Sequence, residues 1–568
     1  MKKIYTLILL HLTFLISCQQ KNDHLTHQNT GPIGKHGMVS TAHPLATKIG
    51  LEILKKGGNA FDAAVATHFA LAVAYPRAGN IGGGGFMVYR TDNGVTGSLD
   101  FREKAPHAST TTMYLDDNGE PIKDLSLKGL KAAGVPGSVD GMVKMHEKLG
   151  LLDWQELLSP AIQLAKDGVT LTAQEAEKIN QYADDFKTFN HFDYPFNQKE
   201  KWNKGDVIYY PNLAKTLALI QNNKRDGFYT GTVAHAIVTA MKEGNGIITK
   251  EDLAEYHSEW RKPIEVTFQD SLKMISMPPP SSGGITLGQI LKGMDMIDPH
   301  NYAHNSSGWV HHVVELERRA YADRATHIGD ADFYPVPIDT LLSDDYIYNR
   351  ISSIKNDQAT NSQEIKAGNV QTIESFETTH FSIVDKMGNA VSITTTLNGN
   401  FGCKVFIQEA GFFMNNEMDD FSIKPGTPNQ FGLVGGEANK ILPNKRMLSS
   451  MTPTIVEKNG ELFLVVGTPG GSTIITSVLQ TILNVTQFGM TMQEAVDTKK
   501  FHSQWLPDIV YYEDGAFSKE TISTLKKFGH HLETTPQLGK MDCIRVLEDG
   551  SLEGASDNTR GDGCALGH

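Results

Sequence analysis

Cysteine is scarce in this chain, with four in 568 residues, and their positions exclude several kinds of chemistry. Cys18 lies in the leader. Cys403, Cys543 and Cys564 are far apart and lack metal-ligand spacing, and no pattern marks a thiol nucleophile. In an exported chain one disulfide is allowed, with Cys543–Cys564 as the candidate pair, and the odd count leaves one thiol over. Positive charge is also short: 52 Lys and Arg against 65 Asp and Glu give a net charge of −13. No stretch combines basic with aromatic residues, which argues against a nucleic-acid partner. Beyond the leader no apolar run is long enough to span a membrane. There is no internal repeat and no linker between independent domains. The glycine run Gly82–Gly85 lacks the Lys-Ser/Thr of a phosphate-binding loop and does not open a helix. A turn where backbones approach closely is the better reading. His311 and His312 are adjacent, whereas helical metal ligands want i, i+4 spacing. No metal and no cofactor is expected.

The leader is informative. Lys2-Lys3 is a positive start, Ile4 to Ile16 is apolar but short, and Leu15-Ile-Ser-Cys18 closes it. This resembles a bacterial lipobox. Residues 1–17 are then a signal peptide, Cys18 carries lipid, and 18–32 is a polar tether. The expected location is the periplasm or cell envelope, anchored to membrane. An ordinary signal peptide with a chance cysteine is the alternative.

The rest of the chain is long enough for a large core in one domain or several intimately packed ones. Pro44 to Gly57 has helical periodicity with a glycine stop, and Asn59-Ala-Phe-Asp62 opens a second helix to Ala74, apolar all round and therefore buried. Arg102, in Asp100-Phe101-Arg102-Glu103, is either in a structural ion pair or placed for bidentate binding of a carboxylate. Ser138 to Leu149 is helical, 150–260 is helical and moderately polar, and Gly308 to His327 is a strong amphipathic helix. Lys355 to Val370 is polar and suits a surface segment.

Thr378 to Asp385 alternates with strand periodicity, Asp385 to Asn389 turns, and Ala390 to Leu397 is a β-branched return strand. With Met387 at the centre of the turn, Thr378 falls opposite Thr396. One reading is a Thr-rich hairpin. The other is that the Glu377–Thr378 bond is cut, leaving Thr378 with a hydroxyl nucleophile and an α-amine base of pKa near 8 on one residue. Downstream, Pro425 to Gly436 has the length and composition of a lid. Gly467-Thr-Pro-Gly470-Gly471-Ser472 precedes a helix, where backbone amides are ready donors to an oxyanion.

Together, Gly57–Ala63, Gly82–Gly85, Asp100–Glu103, Glu377–Ser382, Asn415–Phe421, Asn444–Pro453 and Gly467–Ser472 resemble the γ-glutamyltransferase (γ-glutamyltranspeptidase) family of N-terminal-nucleophile hydrolases, in order and in spacing. The resemblance implies an α+β fold, a four-layer αββα sandwich formed jointly by two self-processed subunits, 33–377 and 378–568, held together as a heterodimer. It implies Thr378 as nucleophile supported by Thr396, with Gly470 and Gly471 as oxyanion donors. It implies Arg102, Ser449 and Ser450 around the α-carboxylate of a γ-glutamyl group, and Asn398, Glu417 and Asp420 around its ammonium. The donor would be glutathione or a related γ-glutamyl amide, and the acceptor water or an amine. Glu377 and Glu417 stand where many bacterial members have Gln, and Phe431 where a lid Tyr is common. Two alternatives compete: a same-fold acylase acting on cephalosporin or poly-γ-glutamate, and an uncleaved lipoprotein that only binds γ-glutamyl compounds.

Overall fold

Two antiparallel seven-stranded sheets lie face to face, and helices cover both outer surfaces. The computed structural model describes residues 29–297, 302–365, 378–424, 426–427, 429–430, 432–433, 435–557, 559 and 561–568. The leader with Cys18, Glu377 of the expected cleavage site and the lid residue Phe431 lie outside the described residues. The first sheet runs, edge to edge, Cys564–Gly567, Gly37–Thr41, Thr379–Asp385, Ala390–Thr396, Gly84–Arg90, Thr96–Asp100 and Glu259–Arg261. The second runs Ile33–Gly34, Leu552–Ser556, Asp542–Val546, Glu461–Val466, Thr454–Lys458, Leu272–Ser276 and Ile264–Phe268. Both sheets mix residues from before and after Thr378. The architecture is the expected four-layer αββα sandwich.

Alternation along the central hairpin decides what each layer contains. Phe381, Ile383, Val391 and Ile393 point outward into an apolar core beneath the helices Pro44–Lys55 and Ala60–Ala74. Burying one such side chain is worth about 1.5–3 kcal/mol. Ala60–Ala74 is buried along its whole length, and its start is held by a capping box between Asn59 and Asp62. The alternate residues of the hairpin point toward the second sheet and, apart from Val384 and Ala390 at the turn end, are polar. His380 Nδ1 meets Thr394 Oγ1 at 2.9 Å, Ser382 Oγ donates to Asp542 O at 2.9 Å, and Ser392 Oγ donates to Val466 O at 3.1 Å. These bonds fix how the sheets sit on one another, because an unpaired polar group here costs about 1–3 kcal/mol. Burial pulls His380 down to about 3, so it is a neutral bridging group.

The second sheet is covered by Gly283–Ile297, Ser307–His327, Thr473–Thr486 and Met492–Asp497. One expectation is corrected here. Ser307–His327 is not a half-exposed amphipathic helix, since its charged residues are buried as well. Arg319 Nη1 pairs with Glu315 Oε2 at 2.6 Å, Arg318 pairs with Asp508, and Glu317 Oε2 accepts from Ser503 N at 3.0 Å. The polar face is covered by the chain around 501–508 and 353–362, which supplies partners in place of water. His311 and Glu315 of this helix also meet His530. Glu315 is already taken up by Arg319 and Thr360, and His311 by Lys355 O and His530, while His530 Nδ1 is buried without a partner among the described residues. The Cys543–Cys564 pair is likewise corrected. The two stand in different sheets, and Cys403, Cys543 and Cys564 are all free thiols. Burial pushes the Cys403 thiol up to about 12, which keeps it inert.

Candidate active site

Thr378 sits at the mouth of the nucleophile strand, one residue before its first paired position. The observed pairs run from Thr379 opposite Thr395 to Val384 opposite Ala390, the register that places Thr378 against Thr396. Thr396 ends the neighbouring strand and pairs with Gly84 on its other side. Its Oγ1 accepts from Asn398 N at 2.7 Å. Asn398 turns the chain away at φ +70° and donates through Nδ2 to Asn416 O at 3.1 Å.

The glycine run is what lets this corner close. A Cβ on Gly83 would lie 2.0 Å from Thr396 O, and one on Gly82 2.3 Å from Phe413 O. Asn80, which the motifs did not single out, stitches the run to the strand. Its Nδ2 donates to Thr396 O at 2.9 Å and to Thr395 Oγ1 at 3.1 Å, and its Oδ1 accepts from Gly83 N at 3.0 Å. Asn415 does the same for the acidic turn. It donates to Gly82 O and Gly134 O, both at 2.8 Å, and accepts from Glu417 N at 3.0 Å. An Asn beside glycines is the only local signal for Asn80, whereas Asn415 opens the motif Asn415–Phe421.

A narrow cleft opens beside Thr378, lined by Thr396, Asn398, Arg102, Glu417, Asp420, Ser449, Ser450 and Gly471. Every residue proposed from the sequence that the structure describes is therefore here, save Gly470, which stands one residue behind the wall. Gly470 and Gly471 have φ +141° and +55°, and the helix Thr473–Thr486 starts just after them. The cleft also contains Arg324, Leu433, Met451 and Ile474, which the sequence did not point to.

Charge in the cleft is concentrated on one cluster. Arg102 is fully buried and donates through Nη1 to Glu417 and through Nη2 to Asp420 Oδ2, while Glu103 Oε2 lies 3.7 Å from Nη1. Arginine and acids thus form one interlocked group rather than two separate walls. A buried guanidinium is tolerated only with counter-charges close by. Burial opposes its charge, but Glu417, Asp420 and Glu103 together hold its pKa above the ordinary value. Burial pushes Glu103 up to about 7, against the pull of Arg102, and raises Glu417 well above the carboxylate range. Asp420 is raised by burial too, with Arg102 opposing. Burial thus holds three acids around one guanidinium short of full ionisation, and an incoming ammonium is the second cation that would favour their charged forms.

The loop over the cleft is tied to the same turn. Asn429 Nδ2 donates to Asp420 Oδ1 at 3.0 Å, and Gln430 N donates to Asp419 Oδ2 at 2.8 Å. Leu433 from this loop lines the cleft, as a lid residue would.

Comparison with known proteins agrees with this geometry. Residues 46–567 match the family model described as gamma-glutamyltranspeptidase. The chain belongs to the γ-glutamyltranspeptidase family. It is 44% identical over 543 residues to a protein of Escherichia coli K12 named glutathione hydrolase proenzyme, covering 94% of this chain and 92% of that one. Among solved structures, the γ-glutamyltranspeptidase of Helicobacter pylori is 44% identical, covers 59% of this chain and 96% of that chain, and superposes with a TM-score of 0.56. A cephalosporin acylase from Bacillus halodurans is 25% identical, covers 97% of this chain and 98% of that chain, and superposes with a TM-score of 0.82. The fold is thus that of the family and of related N-terminal-nucleophile acylases.

Proposed function

We propose that the chain is a self-cleaving γ-glutamyltransferase and glutathione hydrolase. The observation that carries this reading is the cleft itself. Thr378 shares it with two arginines, two serines and two acids drawn from segments up to 348 positions apart, Arg102 to Ser450. In maturation, Thr378 Oγ attacks the Glu377 carbonyl, the peptide bond becomes an ester, and water releases the Glu377 carboxylate. The chain is thereby divided into a large subunit, 33–377 together with its tether, and a small subunit, 378–568, and both sheets need strands from each. In turnover, the freed α-amine takes the Thr378 hydroxyl proton, and Oγ attacks the γ-amide carbonyl. Amides of Gly470 and Gly471 face the developing oxyanion. The leaving amine departs protonated, and water or an acceptor amine then takes the γ-glutamyl group from the ester. Arg102, Ser449 and Ser450 hold the α-carboxylate, and Asn398, Glu417 and Asp420 the ammonium, with Thr396 orienting Thr378.

Likeness to cephalosporin acylase favours one competing reading, a glutaryl-type donor without an amine. Against it, the acids gathered around Arg102 would meet no second cation. Release of p-nitroaniline from γ-glutamyl-p-nitroanilide and from glutaryl-p-nitroanilide separates the two. We expect the γ-glutamyl donor to be preferred and the Thr378→Ala protein to be inert. Preference for the glutaryl donor would make the chain an acylase, and tight binding of an uncut chain without turnover a binding protein.

The leader supports export to the periplasm or cell envelope with a lipid anchor on Cys18. A Cys18→Ala protein that still partitions with membranes counts against the anchor.

A further inference from the structure

Arg324 is a second guanidinium at the cleft, and its surroundings are unlike those of Arg102. It sits in the last turn of Ser307–His327, is buried, and lines the cleft with Thr378. Arg102 has three carboxylates within 4.0 Å, whereas no ion pair of Arg324 occurs among the described residues. Its bonds go to hydroxyls instead. Nε donates to Ser282 Oγ at 2.9 Å and Nη2 donates to Ser450 Oγ at 3.0 Å.

A guanidinium carries only donors. Ser450 Oγ must therefore accept from Arg324, and its own proton has to point elsewhere. Ser449 is treated alike: its Oγ accepts from Met451 N at 3.1 Å, and its carbonyl accepts from Ser282 Oγ at 2.8 Å. Among the described residues neither serine hydroxyl has an acceptor for its proton, and both line the cleft. Burial pulls Arg324 down to about 10, with Tyr321 and Asp420 opposing, which leaves it cationic at neutral pH. A charged donor on Ser450 Oγ also polarises the hydroxyl and makes it a better donor.

We propose that Arg324 is a positioning residue for donor recognition: it commits Ser450 to donating to the α-carboxylate of the γ-glutamyl group and adds an unneutralised positive charge on that side of the cleft. The inference rests on the γ-glutamyl reading and adds to it a residue that acts through Ser450.

The test compares three p-nitroanilide donors in wild type, Arg324→Met, Arg324→Lys and Ser450→Ala, each first checked for cleavage before Thr378. The γ-glutamyl donor has both charges, the glutaryl donor lacks the ammonium, and the 4-aminobutanoyl donor lacks the α-carboxylate. We expect Arg324→Met to lower kcat/KM for the γ-glutamyl donor by ~10- to 100-fold, mainly through KM, the size of one charge-assisted hydrogen bond. The glutaryl donor should lose as much, and the 4-aminobutanoyl donor less than about threefold. Arg324→Met with Ser450→Ala should be no worse than the more damaged single variant. If Arg324→Met does not mature, Arg324→Lys and Ser450→Ala carry the same comparison, with the same dependence on the carboxylate. Equal losses on all three donors in a mature variant, or no loss on any, overturn the inference alone. A wild type inert toward all three overturns the family-based function and this inference with it.

Discussion

Replacing Arg102 by Met probes the charge cluster more sharply than any other change. It leaves Glu103, Glu417 and Asp420 facing one another, with Glu103 and Glu417 fully buried. Removing one partner of a buried ion pair costs about 3–5 kcal/mol, most of it from the charge left behind. The pH dependence follows from the pKa directions. Glu103 is raised to about 7, and Glu417 and Asp420 are raised as well, by burial against the pull of Arg102. Between the unfolded value near 4 and the folded value, the folded state binds more protons, so stability falls as pH rises through that window. Without Arg102 the folded values climb further, and the fall extends to higher pH. The Arg102→Met protein should thus melt well below wild type at pH 8. The gap should narrow at pH 5.5 by about 1.4 kcal/mol for each pH unit over which one further carboxyl is protonated. Adding Glu417→Gln should restore part of the loss at pH 8. Thermal melting of the purified proteins at the two pH values is the assay. An equal deficit at both, unrelieved by Glu417→Gln, would refute the charge argument and leave lost packing as the cause. Turnover of γ-glutamyl donors should fall by ~10²- to 10³-fold, since two charge-assisted bonds are lost.

Thr396→Val removes the hydroxyl that accepts from Asn398 N at 2.7 Å; steady-state kinetics should show kcat down ~10- to 100-fold with KM little changed, given about 1–3 kcal/mol for the stranded donor. Gly83→Ala puts a Cβ 2.0 Å from Thr396 O, so it should slow chain cleavage on a denaturing gel and lower the melting temperature, and a normal rate would mean that this close approach does not set the corner. Phe381→Ala opens a cavity in a fully buried site and should cost about 3–5 kcal/mol in a denaturation midpoint series. Thiol titration of denatured, unreduced protein should find Cys403, Cys543 and Cys564 all reactive, and a reductant should leave the melting temperature unchanged.

Much of this was legible before any coordinates. The hairpin register followed from one assumption about the turn, because strand side chains repeat every two residues and Met387 is its natural centre. Helices at 44–55, 60–74 and 138–149 were marked by their caps and stops. Thr378, Arg102, Ser449, Ser450 and Asp420 were legible because each stands in a short motif. Arg324 was not. It is one arginine among several on a helix, and only the packing of that helix end against the Ser449–Ser450 loop gives it a role. The buried charges of Ser307–His327 were misjudged for a related reason: periodicity reports which face is polar, not whether another segment covers it. The free cysteines show the same limit, since sequence distance does not say which sheet a residue joins. The Ser, Thr and His layer between the sheets was invisible too, because alternating polar residues usually signal a solvated face.

One measurement tests the central claim most directly: the intact mass of the purified, denatured protein, with N-terminal sequencing of each fragment. The account predicts two chains, one of them beginning at Thr378, and none in a Thr378→Ala protein. A folded wild-type protein that remains a single uncut chain would contradict it.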